Sequence, residues 1–307
     1  MKPAYKIAVS GASGLVGSAL VPSLTADGHA VGRLVRAWPA SGEHDVFWDP
    51  AHGKVDRERL EGLDAIVHLA GENIAAGRWT DARKELIRQS RVTGTRLLSE
   101  SLARLQSRPK VLIAASAIGY YGNRGDDPVD ESAPAGDDFL ATVCKEWEAA
   151  TEPAARAGIR VVNARLGIVL SPKGGALGKM LGPFRLGAGG RIGSGAQPMS
   201  WVALDDVIAA IHYALFNDSL SGPINVVAPN PVTNAEFTTI LAKALKRPAF
   251  MTVPAFAIKA VFGEMGRALL LEGARVIPRK LLDAGFHFQY PTLDGALGPL
   301  LETSRSS

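Results

Sequence analysis

Tyr5-Lys-Ile-Ala-Val-Ser-Gly-Ala-Ser-Gly-Leu-Val-Gly17 is an apolar strand that runs into Gly11, Gly14 and Gly17, three residues apart, and then straight into a helical pattern. A strand that ends in bare backbone at a helix N-terminus is built to hold phosphate. The first helical amides have no partner within the helix, and the helix dipole favours an anion there. Gly11 turns sharply out of the strand, where a side chain would clash. Gly14 lets the backbone approach a diphosphate, and Gly17 lets the helix lie close on the strand. The motif therefore predicts a dinucleotide cofactor, held at Gly11, Ser13, Gly14, Leu15, Val16 and Gly17.

Downstream, strands and helices alternate. Lys6–Ser10, Ala30–Val35, Asp45–Trp48, Ala65–Leu69, Val111–Ala115 and Arg160–Ala164 read as strands. Leu15–Ala26, Asp81–Leu105 and Phe139–Ala157 read as helices, the second with Leu86, Ile87, Leu97, Leu98 and Leu102 as core candidates. Near-continuous apolar strands separated by helices predict an α/β fold, a Rossmann-type doubly wound parallel sheet covered on both faces. Its ligands bind at the carboxyl ends of the strands. Residues 1–170 form the nucleotide-binding domain in this reading. Residues 171–200 form a glycine-rich substrate loop, whose pairs Gly174-Gly175 and Gly189-Gly190 suggest backbone close to a ligand. Residues 201–230 (helix Leu204–Phe216, strand Ile224–Val227) rejoin the sheet, and 231–307 make a smaller, mainly helical C-terminal substrate region.

The 307 residues carry a net charge of +4 with basic residues scattered. The densest basic group, Arg83, Lys84, Arg88 and Arg91, is interrupted by Asp81 and Glu85 and reads as a solvated helix face, not a nucleic-acid stripe. Cys144 is the only cysteine, which excludes an internal disulfide and suits a reducing compartment. Gly11 breaks the apolar stretch that a signal peptide would need, and no apolar run is long enough for a bilayer span. The expectation is a cytoplasmic protein with a small-molecule substrate and neither nucleic acid nor membrane as partner. A homo-oligomer is left open. Spacing of histidines and acids predicts no metal site. His68, in an apolar strand, reads as a satisfied core histidine.

The end of the second strand selects the coenzyme. An acid there would bind the ribose 2′-hydroxyl and repel a 2′-phosphate. This chain has Arg33-Leu-Val-Arg36 instead, and a guanidinium at Arg36 matches a phosphate dianion. NADP(H) is therefore expected over NAD(H). Arg33 reads as an edge or solvent residue, and Glu43 and Asp45 lie too far along to serve the ribose.

The triple-glycine spacing is the variant used by short-chain dehydrogenases. Further stretches are more specific: His68-Leu-Ala-Gly-Glu-Asn-Ile74, Arg78-Trp-Thr80, Ser90-Arg-Val-Thr-Gly-Thr95, Gly119-Tyr-Tyr-Gly122, Trp147-Glu148, Gly193-Ser-Gly195 with Gln197, and Gly285-Phe286. Over nearly its whole length the chain resembles the atypical extended short-chain dehydrogenase/reductase superfamily. Within it, the resemblance is to NAD-dependent epimerase/dehydratase proteins with a C-terminal domain of unknown function. The resemblance implies that Leu69, Ala70 and Gly71 lie along the cofactor, and that Glu72 faces either cofactor or pocket. It also implies that Arg91 sits where the long helix approaches the cofactor, and that Asp206 is a structural acid.

The catalytic pair of that superfamily is missing. It is a Tyr-x-x-x-Lys on one helix face, in which the lysine tunes the phenol for proton exchange. Four residues after the five tyrosines stand Val9, Arg124, Gly125, Asn217 and Asp294. Alignment on Glu148 puts Leu140 and Cys144 at the pair's places, and a one-residue shift puts Phe139 and Val143 there. Ser116, Tyr120 and Tyr121 remain as candidate catalytic residues, although strict alignment on Tyr121-Gly122 places Ala117 at the serine position. Both rings also have a plain packing role open to them. Two functions are expected: an NADP(H)-dependent oxidoreductase or epimerase-like enzyme on a small polar substrate such as a sugar or nucleotide-sugar, or an NADP(H)-binding sensor or interaction protein with little turnover.

Overall fold

A computed structural model describes residues 4–37 and 44–303; Glu43 lies outside them. The first part of the chain runs β1 (Lys6–Ser10), α1 (Leu15–Ala26), β2 (Ala30–Val35), β3 (Val46–Asp49), β4 (Lys54–Val55), β5 (Ala65–His68), α2 (Asp81–Ala103) and β6 (Val111–Ala117). A 3₁₀ turn, Ile118–Tyr121, leads to β7 (Gly125–Val129), α3 (Phe139–Ala149), α4 (Glu152–Arg156), β8 (Arg160–Leu166) and β9 (Ile168–Ser171). Then come α5 (Gly175–Arg185), β10 (Gly190–Ile192), β11 (Pro198–Met199), β12 (Trp201–Ala203), α6 (Leu204–Phe216) and β13 (Gly222–Val226). The C-terminal part contains β14 (Val232–Thr233), α7 (Asn234–Leu245), β15 (Met251–Val253), α8 (Ala255–Gly266), β16 (Ala274–Val276), α9 (Arg279–Asp283) and α10 (Leu293–Thr303).

The central sheet has the order β13-β8-β6-β5-β1-β2-β3-β4. Every neighbouring pair in it is parallel except β3 with β4. From β1 the chain moves outward through β2 and β3, then returns to the other side of β1 with β5. The strand order reverses there, and a crevice opens beyond Ser10 and His68, which are register partners.

Period-two alternation assigns the two faces. Ile7, Val9, Val67 and Ile113 pack with Leu20 and Leu24 of α1 and Val207 and Ile211 of α6. Ala8, Ile66 and Leu112 pack on the other face with Leu98 and Leu102 of α2. Leu86 is not in the core: it is 54% exposed, while Ile87 beside it is buried. The helix expected over Phe139–Ala157 is two helices. Pro153 has no N–H to give the carbonyl of Ala149, so α3 ends and α4 begins with the proline in its first turn.

The stretch 173–197 is not a structureless loop. It holds α5, whose Leu177, Leu181 and Phe184 are buried, and β10, which pairs with β15. Gly189 and Gly190 serve this packing. A Cβ on Gly189 would stand 2.4 Å from the Phe184 ring, and one on Gly190 would stand 1.9 Å from the Met251 carbonyl oxygen. Gly174 and Gly175 lie against Leu15, their own Cβ positions 3.5 and 3.2 Å from its methyls, so this segment folds over the start of α1.

Candidate active site

The crevice floor is made where β1 and β5 end. Gly11 has φ +66°, and a Cβ there would stand 2.8 Å from the Leu69 carbonyl carbon. Gly17 approaches equally closely, since a Cβ would meet the Gly11 carbonyl oxygen at 2.2 Å. These two approaches hold α1 close behind the strand end and leave Ser13 and Gly14 exposed at the rim. Ser13, Gly14 and Leu15 line a cavity of about 520 Å³ together with Lys173 and Gly174. Ser10 ties the floor together. Its Oγ accepts from the amides of Leu69 at 3.0 Å and Ala70 at 3.2 Å, and lies 2.7 Å from His68 Nδ1. With both amides donating, the hydroxyl proton goes to Nδ1, and the imidazole carries its own proton on Nε2. His68 is fully buried, and burial holds its pKa down at about 4. It is not a satisfied core histidine: among the described residues Nε2 has no hydrogen-bond partner, and the ring stands at right angles to the Trp48 indole.

At the end of β2 the two arginines differ. Arg33 is locked to Asp45, with Nη2–Oδ2 at 2.6 Å and Nε–Oδ1 at 3.1 Å, and its amide also donates to Oδ1. Asp45 is thereby neutralised and withdrawn from any ribose. Arg36, one residue past the strand, is exposed and enters no ion pair among the described residues. Glu72, just past β5, is 2.9 Å from Arg83 Nη2 on α2, so its carboxylate already has a cation.

Ser116 and Tyr121, read as catalytic candidates, lie in a buried network. Ser116 Oγ donates to Glu148 Oε1 at 2.7 Å. Arg165 donates to both oxygens of Glu148 at 2.8 Å, and its Nη1 donates to the Tyr121 hydroxyl at 2.9 Å. Tyr121 in turn donates to Asn225 Oδ1 at 2.7 Å. Ser116 is 2% exposed and Tyr121 0%. Burial pushes the Tyr121 pKa up to about 12, against the opposing effect of Arg165. Neither proton is offered to the crevice. Tyr120 differs: it is half-buried, its ring carries the Arg165 guanidinium at 3.5 Å, and its hydroxyl has no hydrogen-bond partner among the described residues. Arg124 does not serve either phenol; it donates to the carbonyls of Tyr121, Pro134 and Ala135.

On α3, Leu140 and Cys144 both face Gly119 of the 3₁₀ turn, with Leu140 Cβ 3.3 Å and Cys144 Sγ 3.9 Å from where its Cβ would stand. Cys144 is buried, and burial raises its pKa to about 12, which makes it an inert thiol.

A family model described as NAD dependent epimerase/dehydratase family matches residues 7–227. The chain belongs to that family. A second model, a domain of unknown function, matches residues 253–300. The chain is 48% identical over 292 residues to the epimerase family protein Mb2239 of Mycobacterium bovis, covering 95% of this chain and 96% of that one. It is 38% identical over 295 residues to human epimerase family protein SDR39U1, covering 95% and 98%. A crystal structure of human SDR39U1 (isoform 2) with NADPH superposes with a TM-score of 0.88 at 37% identity, covering 97% of this chain and 99% of that one. A Corynebacterium glutamicum structure described as a nucleoside-diphosphate sugar epimerase gives 0.80 at 37% identity, covering 99% and 60%.

Sequence reasoning missed Arg165, the hub of the network. The available signal was a charge inside the apolar run Arg160–Leu166, where only a paired cation is tolerated. It also missed Ser10 as the junction of the two strand ends. Asp206, by contrast, is a buried acid that accepts from the amides of Gln289 at 2.7 Å and Tyr290 at 3.0 Å. No helix among the described residues is long and apolar enough to cross a membrane, and no cluster of metal-ligating side chains occurs among them.

Proposed function

We propose that the protein is an NADP(H)-dependent oxidoreductase or epimerase-like enzyme acting on a small polar substrate of the sugar or nucleotide-sugar class. The observation that carries this reading is the pairing of a backbone cradle at the strand-order reversal with Arg36, exposed at the end of β2 and without an ion pair among the described residues, where the nearby acid, Asp45, is held by Arg33. The NADPH in the SDR39U1 structure supports the coenzyme, and the description of the Corynebacterium relative supports the substrate class.

The residues present fit the cofactor. The amides at Ser13, Gly14, Leu15 and Val16 would hold the diphosphate, Arg36 the 2′-phosphate, and Leu69, Ala70 and Gly71 would flank the dinucleotide. Bound NADP(H) supplies hydride exchange. The chain must then orient the substrate and handle the proton, and Tyr120 is the candidate whose hydroxyl the protein leaves uncommitted.

Calorimetry with NADPH and NADH tests the coenzyme: Arg36→Ala is expected to weaken NADPH at least tenfold and leave NADH unchanged, and equal losses for both would reject the role of Arg36. Tyr120→Phe is expected to abolish NADPH oxidation across a panel of carbonyls and sugar nucleotides without changing NADPH affinity. A second reading is an NADP(H) binder with little turnover. The lack of a tyrosine–lysine pair in either register of α3, Leu140 and Cys144 or Phe139 and Val143, and the committed protons of Ser116 and Tyr121, favour it. Tight NADPH binding with no oxidation of bound NADPH by any member of the panel would select it.

A further inference from the structure

Two arginines are largely withdrawn from water beside the crevice, and among the described residues only one has a counter-ion. Arg165 lies in a bidentate pair with Glu148. Arg91, on α2, lies over the Trp147 indole at 5.1 Å, and its Cζ is 3.4 Å from where a Cβ on Gly71 would stand. Its acceptors among the described residues are both neutral: the Ile87 carbonyl at 3.1 Å and Ser90 Oγ at 3.5 Å. Glu72, the acid whose field it feels, is already paired with Arg83. Burial holds the Arg91 pKa below the ordinary arginine value. A desolvated cation without an anion is unfavourable, and such a site gains more than a solvated one when an anion arrives.

Helix α3 supplies the second observation. In the register set by Glu148, position 144 is where the lysine of a tyrosine–lysine pair would stand, and it holds a buried thiol. Arg91, packed on Trp147 of the same helix, is close enough for its positive charge to act on that thiol. The charge absent from position 144 is therefore present in the same neighbourhood, carried by α2.

We propose that Arg91 delivers from α2 the fixed positive charge that α3 lacks at position 144, and that its counter-ion is an oxyanion of a crevice ligand beside Gly71, either the cofactor diphosphate or an acidic substituent of the substrate. This rests on the reading of the crevice as an NADP(H) site and assigns within it the group that Arg91 holds.

The test compares wild type, Arg91→Met and Arg91→Lys by calorimetry, with NADPH alone and then with glucose 6-phosphate and glucuronate at saturating NADPH. If the oxyanion is the diphosphate, Arg91→Met weakens NADPH at least tenfold and Arg91→Lys less. The slope of log Kd against log salt also becomes shallower in Arg91→Met, which a packing defect would not cause. If the oxyanion is the substrate's, NADPH affinity stays within twofold, and binding of the acidic probe to the NADPH complex is lost in Arg91→Met and kept in Arg91→Lys. NADPH affinity within twofold together with no arginine-dependent probe binding overturns the assignment. Wild type that fails to bind NADPH overturns the cofactor reading and this assignment with it. Should Arg91→Met lose its cooperative melting transition, Arg91→Lys and the salt dependence of wild type decide on the same criteria.

Discussion

His68 and Tyr121 are each buried in the form that carries no charge, and each makes stability depend on pH. For His68 the folded pKa, about 4, is below the ordinary value of 6.5. Between these values the unfolded chain binds more protons, so stability is full above pH 6.5 and falls as pH drops toward 4. The loss is about 3 kcal/mol. Urea unfolding at pH 7 and pH 4.5 should show most of that loss in wild type and a much smaller one in His68→Gln; equal losses would show that another group is responsible. For Tyr121 the folded pKa is raised to about 12, so its contribution is intact below pH 10 and is lost as pH rises from 10 to 12. Tyr121→Phe removes the hydroxyl between Arg165 and Asn225 and leaves a buried donor and a buried acceptor unmatched, which should cost about 1–3 kcal/mol. NADPH affinity should hold within twofold. A large loss of NADPH affinity with unchanged thermal stability would put Tyr121 back at the reaction centre.

At the scale of elements, α1 is fixed at both ends by different chemistry. Its N-terminal end depends on Gly17. Gly17→Val places branched carbon where even a Cβ would be 2.2 Å from the Gly11 carbonyl oxygen, so α1 must lift away from β1 and the backbone cradle proposed for NADPH must open. Loss of NADPH binding by at least tenfold, together with a lower melting temperature, is the expected result. Retention of both would show that α1 has more freedom than this packing allows. At its other end Ser23 Oγ lies 3.2 Å from His212 Nε2, and His212 Nδ1 lies 3.1 Å from Asp27 Oδ2. The connectivity is that of a nucleophile, base and orienting acid. The C-terminal end of a helix, however, presents carbonyls and the negative end of the dipole, which repel an oxyanion. These residues tie α1 to α6 and line a groove of about 940 Å³ on the outside of the sheet.

At the scale of the whole molecule, the C-terminal chain is part of the nucleotide-binding core as well as a neighbour of it. Leu281 and Phe286 are buried in the same cluster as Ile7, Val9 and Ile224. β16 pairs with β7, and the Asn225 side-chain amide donates to the Ile277 carbonyl at 2.9 Å. Across the front, Lys84 on α2 meets Glu264 on α8 at 2.5 Å, and Arg78 donates to the Ala260 carbonyl. A chain ended after residue 230 should therefore fail to fold cooperatively: it leaves the Leu281 and Phe286 sites empty, each costing several kcal/mol on the scale of a large-to-small core change. Circular-dichroism melting and limited proteolysis would show this, and a sharp melt with NADPH binding intact would refute it.

The opening segment was decipherable from one dimension because its signals are local. A strand, three glycines and a helix lie within 17 residues, and backbone geometry alone makes them a cradle of bare amides at a helix N-terminus. The alternation of β1, β2, β5, β6 and β8 with helices was legible for the same reason, since period and apolarity belong to each segment. The buried polar network was not legible. Ser116, Tyr121, Glu148, Arg165 and Asn225 are scattered over more than 100 positions, and only the parallel pairing of β6, β8 and β13, with α3 and the 3₁₀ turn packed beside them, brings them together. Gly189 and Gly190 likewise looked like ligand contacts, because nothing near them in sequence announces the Phe184 ring or the Met251 carbonyl. The sequence by itself determined the sheet and its cradle. The fold alone decided which hydroxyls and charges are consumed by neighbours and which stay available, because a hydrogen bond or ion pair depends on proximity in space and not along the chain.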